Sequence, residues 1–428
     1  MSAAPVDQVA PRPLPTTLLA VSTVFTLVGV LAFFLGLAND AATAWRAFHV
    51  NYLYFAGISQ GGLVIASIFV IVGARWPGPI WRITEGLAAW VPVTLVLGCI
   101  GFFGRHHIYP WIDEPLPWKA AWLNETRLYV TDLGILAVLA VLTFLFLRAS
   151  LRPAMGGGAV DKASGFAKTI MERWTADWQG EEEEREASQR KLRVLAPIIC
   201  LVYAFGYSLI AFDQVMSLTP TWISNLFGAY FAWGGFLSAI SVTALITVLH
   251  RNYPGLEGEI TEERLHDLGK MIFAFSIFWM YLFFSQYLVI WYGNLPEETQ
   301  FFAARLGSEF LQSTWYFDSG FWDRIWLEPY VKVSLFAWLC IWVIPFWFLL
   351  GRRPKKTWWF LGGVATVSAF GFWVERNVLV WPSLVPEETW SFLGWIQIGI
   401  ALGFLGAFTL TYLLFTRRFP SLAVPRRS

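Results

Sequence analysis

Charge, cysteine and histidine are all scarce in this sequence, and each scarcity removes a class of function. Asp, Glu, Lys and Arg make up 14% of 428 residues, against about a quarter in ordinary soluble domains, and the formal net charge is +1. No basic tract is interleaved with base-stacking aromatics, so nucleic acid is not an expected partner. The cysteines, Cys99, Cys200 and Cys340, stand alone inside apolar runs. With no C-x-x-C and no C-x-x-C-H, the chain offers no ligands for an iron–sulfur cluster or c-type haem, and no disulfide pairing by spacing. There is no Gly-rich nucleotide loop. The histidines are His49, His106, His107, His250 and His266, all near the ends of apolar runs. A b-type haem wants a facing pair within the membrane, which only His49 with His106 or His107 could form. The expectation is therefore a chain with no metal and no redox cofactor of its own. No cleavable signal peptide is expected either, because the first apolar run is as long as a full span and more follow.

What the sequence has in abundance is apolar surface. Hydrophobic residues make up 56% and the mean hydropathy is +0.53, the composition of an integral membrane protein. A bilayer core about 30 Å thick needs about 20 apolar residues in a helix. Ten runs meet that length, near 16–37, 51–73, 86–104, 128–147, 194–215, 226–249, 268–292, 329–350, 357–376 and 391–415. Of the 31 Lys and Arg, 22 fall in connections on the N-terminal side and seven on the other, while Lys270 and Lys332 lie just inside runs. That bias predicts both termini in the cytoplasm.

Two connections are long. The cytoplasmic one, 148–193, carries Phe166, Ile170, Trp174 and Trp178 at intervals of four, the spacing of an amphipathic helix lying at the membrane surface or under a partner. The "EEEE" run at 181–184 that follows reads as a solvated stretch. The outer one, 293–328, reads as a loop whose "STWYFDSGFWDRIW" would form an aromatic belt at the headgroups or dock a partner. A faint repeat relates "YFAGISQGGLVIAS" to "GAYFAWGGFLSAIS", aligning Gly61–Gly62 with Gly234–Gly235. It is consistent with two related four-helix bundles, spans 2–5 (51–215) and 6–9 (226–376), flanked by spans one and ten. Small residues that let any membrane helices approach closely would look the same.

A polar side chain in hydrocarbon is costly, so those inside the runs are candidates for chemistry. At the outer level lie His49, Asn51, Arg105, His106, His107, Asp213, Glu375, Arg376 and Asn377. Histidine and carboxylate at this depth suit the hydrogen bonding of a quinone ring and the removal of its protons. Arg376 pairing with Asp213 or Glu375 to lock helices is the plainer alternative. At the inner level, His266, Asp267 and Lys270 share the start of span seven, with Ser276, Tyr281, Ser285 and Gln286 further along and Tyr203, Tyr207 and Ser208 on span five. These could form a proton path from Asp213 and His49 to the inner group, or simply a helix start with a snorkelling lysine. Gln60, three turns into span two, is the position packing explains least.

Three stretches together resemble a known family: "FDQVMSLTPTWISNLFGAYFAWGGFLSAIS", "HDLGKMIFAFSIFWMYLFFSQYLVIWYGNLPEET" and "FHVNYLYFAGISQGG". They are similar to the NrfD-like membrane subunits of bacterial alternative complex III, a quinol:cytochrome c oxidoreductase, and closest to the smaller of its two such subunits. The resemblance implies ten spans in two four-helix bundles. It also implies partners that carry the redox groups: an iron–sulfur subunit, c-type haem subunits and the larger NrfD-like subunit, which is the better candidate for quinol oxidation. The smaller subunit would then contribute a proton path. The chain departs from the family pattern at Thr221, where a histidine is common, and at Gln214, where an aromatic is common, which weakens a quinol role for this bundle. A quinol site at the outer side of spans 2–5, using His49, Asn51, Gln60 and Asp213, is the alternative. A structural scaffold is another. A secondary transporter is the last; it calls for inverted repeats and broken helices, and no Pro-Gly interruption at a span centre is visible.

Overall fold

The computed structural model describes residues 15–155, 159–161, 163–253, 256, 258–311, 326–386 and 393–419, and among them it is helical with no strand. The principal helices are α1 (Thr16–Asn39), α2 (Ala41–Ile71), α3 (Pro79–Ala88), α4 (Val91–Gly101), α5 (Glu125–Leu151) and α6 (Gly165–Thr175), followed by α7 (Glu181–Gln214), α8 (Phe227–Leu249), α9 (Glu262–Gly293), α10 (Pro296–Leu306), α11 (Val331–Trp338), α12 (Trp358–Leu384) and α13 (Trp395–Arg418). Among the described residues nine segments are long and apolar enough to cross a membrane, and they fall on nine of the ten predicted runs. The tenth, α12, has 27 residues, but its tryptophans and glycines and the pair Glu375–Arg376 dilute its hydropathy. This is a multi-pass helical membrane protein.

Local signals explain where the helices start. Asp40 accepts a 3.0 Å bond from the Thr43 amide, Asn124 one of 3.0 Å from Arg127 and Thr261 one of 3.3 Å from Arg264, which caps α2, α5 and α9. The acidic run 181–184 is not a free solvated stretch. It is the first turn of α7, where carboxylates favour the positive end of the helix dipole, and Glu184 is buried in an ion pair with Arg152 at 2.7 Å.

The centre of the molecule is α2, buried along nearly its whole length and packed against α3, α4, α7, α8, α12 and α13. On one side of it α4, α5 and α7 pack in sequence; on the other α8 packs against α9 and α12, and α12 against α11. The repeated glycines meet where α2 crosses α8. A Cβ on Gly57 would lie 3.1 Å from Gly235 Cα, and one on Gly61 2.5 Å from Ala239 Cβ. The other glycine of each pair turns to its own side: Gly62 makes room for Leu87, Gly234 for Arg376. Outside this core, α1 and α13 form a pair whose closest point is Gly29 against Gly403, and α1 leaves Leu27, Leu31 and Phe34 exposed.

Four expectations change. Helix α2 starts at Ala41 rather than 51, because Ala42 to Phe48 continue the helix from the Asp40 cap, so His49 and Asn51 lie two turns inside and are buried. Interruptions do occur: the third span has a turn at Ala89–Trp90 between α3 and α4, and the eighth relaxes into a π turn at Leu339–Val343 after α11. The outer connection is not all loop, since α10 tucks Phe301, Phe302 and Arg305 into the core; its "STWYFDSGFWDRIW" segment lies outside the described residues except Trp326. The aromatic-striped helix exists as α6, yet its inward face is Ala167 and Met171, while Phe166 is 81% exposed and Trp174 packs on Phe144 and Phe419.

Candidate functional site

Two groups of buried polar residues lie on either side of α2. In the first, Arg127 from α5 holds Asp213 at the end of α7 through two bonds, Nη1 to Oδ1 at 2.7 Å and Nη2 to Oδ2 at 2.9 Å. The arginine stacks on Trp122, 3.8 Å from the ring centre, and Asp213 is buried. Next to it, Gln214 donates its amide to Asp132 Oδ2 at 2.8 Å, while the Gln214 carbonyl lies 2.9 Å from His49 Nε2. An arginine fork is among the strongest partners a carboxylate can have, and it offsets the burial of Asp213, while the Arg127 side chain stays 23% exposed.

Between these residues lies a cavity of about 20 Å³, room for roughly one water, lined by His49, Tyr52, Tyr109, Tyr129, Asp132 and Gln214 among others. Asp132 Oδ1 and Gln214 Oε1 are buried acceptors with no protein partner. A single water there would meet acceptors and a histidine at once, which is the geometry for passing a proton. A quinone ring does not fit in this space.

The second group is centred on α12. Arg376 pairs with Glu375, not Asp213, with Nη1 3.0 Å from Oε2; it also donates to the Phe231 carbonyl at 3.1 Å and lies over the Phe231 ring at 4.0 Å. Glu375 then faces a cavity of about 420 Å³ enclosed by α8, α9, α10, α11 and α12. Arg305 of α10 reaches the same cavity. Its two Nη atoms are taken by the carbonyls of Phe301 and Leu379, each at 2.8 Å, and by Ser383 at 2.7 Å. Burial lowers the Arg305 pKa, but a guanidinium stays protonated at neutral pH.

The remaining predicted residues are distributed as follows. Asn51 and Asn377 are structural clamps on α12: Asn51 Oδ1 accepts from Trp373 Nε1 at 3.0 Å and Asn377 Oδ1 from Trp381 Nε1 at 3.1 Å. His106 is exposed and pairs with Asp113 at 2.7 Å, and His107 is exposed as well, so neither faces the buried His49 as a haem pair would. Tyr207 donates to the Ala56 carbonyl at 2.9 Å and Tyr203 to that of Ala232 at 2.6 Å, tying α7 to α2 and α8. Gln60 is completely buried, and neither atom of its amide has a partner.

At the inner end, Asp267 holds Lys270 at 2.6 Å and His266 at 3.8 Å, and Lys270 is 55% exposed. Gln286 lies about 30 Å further along α9, at 1.5 Å rise per residue. It accepts from Ser224 at 2.7 Å, while Ser276 between them bonds back to Phe273. Ser285 is half-buried beside Gln286. His49 and Asp213 meet through Gln214 rather than touching each other, and the described side-chain bonds do not join them to the inner group.

Sequence reasoning missed Asp132 and Arg127, although an aspartate inside a predicted apolar run was the strongest signal available. It also missed Glu85, buried in α3 and bonded to Arg82 at 2.6 Å, Trp81 at 2.7 Å and Ser150, a network that anchors α3 to α5. Among the described residues no group of three or more His, Cys, Asp or Glu could hold a metal.

Fold and site together define a class: a multi-pass helical membrane protein with several buried carboxylates, Asp132 beside a water-sized cavity and Glu375 beside one of about 420 Å³. The chain matches no family model and no curated protein.

Proposed function

We propose that this chain is a membrane component of a respiratory quinol:cytochrome c oxidoreductase of the alternative complex III type, in the position of the smaller of its two NrfD-like subunits, also called quinone-binding subunit 2. In this reading it lies in a bacterial cytoplasmic membrane with both termini inside. It holds no redox cofactor, contributes a proton path and scaffolding, and leaves electron transfer to iron–sulfur and haem-bearing partners. The observation that carries the proposal is the chain Arg127–Asp213 and Gln214–Asp132 with His49 around one water-sized cavity. A scaffold alone has no need of unpaired buried acceptors, which cost about 1–3 kcal/mol each. The neighbours of α2 and α8, with glycines meeting at their crossing, favour two four-helix bundles.

The path would run from Asp132 and Asp213, past Tyr207 and the unpartnered Gln60, towards His266, Asp267 and Lys270. Its test is proton release per quinol oxidised in the assembled complex. Asp132→Asn and Lys270→Met are expected to lower that ratio while the complex still assembles. Wild-type ratio and turnover in both variants would refute the path.

A further inference from the structure

Where α9 begins, cations outnumber the carboxylates that could match them. Lys270, Arg352, Arg353, Lys355 and Lys356 gather where α9 packs against the short helix Arg352–Lys356, and the acids beside them are Glu262, Glu263 and Asp267. Asp267 holds Lys270 at 2.6 Å, while Glu263 bonds Lys356 and Glu262 lies 4.0 Å from the same lysine. Those pairs use up the acids. Among the described residues no carboxylate pairs with Lys355, Arg352 or Arg353, although the Arg352 charge is close enough to act on His266 and Glu263.

Lys355 is the unusual member, because a lysine is rarely buried without a counter-charge. Gly269 admits it: a Cβ at that glycine would lie 2.9 Å from both Cβ and Cγ of Lys355, so the stem lies flat on α9 and the residue is 7% exposed. Its Nζ stands 4.8 Å from the centre of the Phe273 ring and reaches the Leu350 carbonyl at a long 3.4 Å, which leaves donors of the ammonium to spare. Burial and the nearby Lys270 ammonium both push its pKa down, so an anion is what this position lacks. Phe273 in turn begins a ladder of rings between α9 and the eighth span. It stacks on Phe346 with centres 5.5 Å apart, Phe346 stacks on Trp342 at 5.8 Å, and Trp342 meets Trp338 at 5.2 Å. Along the same two helices Ile277, Phe278, Trp347 and Phe348 are exposed on surface that lipid covers.

We propose that this seam binds an anionic phospholipid, its phosphate diester on Lys355 and the Arg352–Arg353 pair and its acyl chains along the ladder of rings. Basic clusters at the ends of spans are where an anionic headgroup gains most from the protein. A zwitterionic lipid would bring an ammonium of its own into a group already rich in cations. Free phosphate could meet Lys355 but would leave the exposed rings and aliphatic side chains beside it uncovered. An acidic peptide would have to follow the lysine in among apolar rings. The site does not rest on the function proposed above, and Lys355, Arg352 and Arg353 take no part in the proton path.

The test uses the full chain, in whatever assembly it leaves its membrane, exchanged into dodecyl maltoside and titrated with dioleoylphosphatidylglycerol or dioleoylphosphatidylcholine under native mass spectrometry. The first phosphatidylglycerol is expected to bind about tenfold more tightly than the first phosphatidylcholine, a difference of about 1.4 kcal/mol, and Lys355→Gln to abolish most of that preference. Phosphatidylglycerol carrying a diazirine on its acyl chain is expected to label residues 270–278 and 342–350, and to label them less in Lys355→Gln. Lys332→Gln, exposed at the opposite end of the eighth span, should change neither result. Should Lys355→Gln not be recovered folded, Arg352→Gln combined with Arg353→Gln, both exposed, carries the test with the same losses expected. Equal binding of the two lipids, undiminished labelling in a folded variant, or label confined to other helices would each overturn the site. Displacement of the lipid by excess inorganic phosphate would overturn it too, in favour of a soluble anion.

Discussion

The pocket beside His49 and the cavity beside Glu375 are built from similar materials and differ about twentyfold in volume, 20 against 420 Å³. Each joins a buried carboxylate and arginine to tyrosines and a glutamine. Around His49 the helices close tightly, because Gly98 on α4 lets Tyr52, Leu133 and Leu136 approach within 3.1–3.3 Å of where its Cβ would stand. Around Glu375, α10 inserts beside α9, α11 and α12, and bulky aromatics line the space it encloses. The comparison teaches that charge content does not set how much space a polar cluster encloses. Spacing between helices does, since bulky side chains and an inserted helix hold the walls apart around Glu375.

The largest effect should come from breaking the first region's ion pair. Arg127→Met leaves Asp213 charged and buried, at a cost of about 3–5 kcal/mol, read as a lowered thermal transition in detergent; Arg127→Met with Asp213→Leu should recover most of it. Recovery failing in the double variant would mean the pair is more than a structural match. Packing separates the regions next. Gly98→Leu should cost about 1–3 kcal/mol by overpacking, whereas Ala337→Leu, facing empty volume, should be tolerated within about 0.5 kcal/mol. Equal penalties would erase the contrast in volume between the two regions.

Hydrogen-bond deletions should sharpen it further. Asn51→Ala strands the Trp373 indole and should cost about 1 kcal/mol or more, while Ser334→Ala removes an already unpartnered hydroxyl and should be neutral or slightly stabilising. A clear loss of stability in the latter would show that Ser334 is satisfied without ligand. Lys270→Met should change stability by less than about 1 kcal/mol, because the Lys270 side chain is exposed and Asp267 partly so. If turnover-linked proton release also stays unchanged, the inner end of the path loses its lysine.

Much of the helical layout was legible from hydropathy, because lipid imposes length and composition on every span. The ends were less so. Nothing in "DAATAWRAF" is apolar enough to extend a span, yet Asp40 caps a helix there and moves His49 from a membrane edge into the interior. Of the site, Asp213, His49, Glu375 and Arg376 stood out as polar residues in apolar runs. Their partners did not, since Arg127 and Asp213 are separated by 86 positions and no local pattern couples them. Of the two partners open to Arg376, Asp213 and Glu375, the structure pairs it with its chain neighbour Glu375.

By itself, the sequence determined that this is a membrane-embedded helical protein, where most spans run, which polar groups they carry and where close helix crossings can occur. Those properties follow from the cost of polar backbone and side chains in hydrocarbon, which acts residue by residue along the chain. Only the tertiary structure decided which carboxylate meets which arginine, that α10 enters the core, and that one cluster encloses a water's volume and the other about twenty times as much. Pairing and cavity size depend on angles and separations between helices distant in sequence, and those are set by the packing of the whole bundle at once.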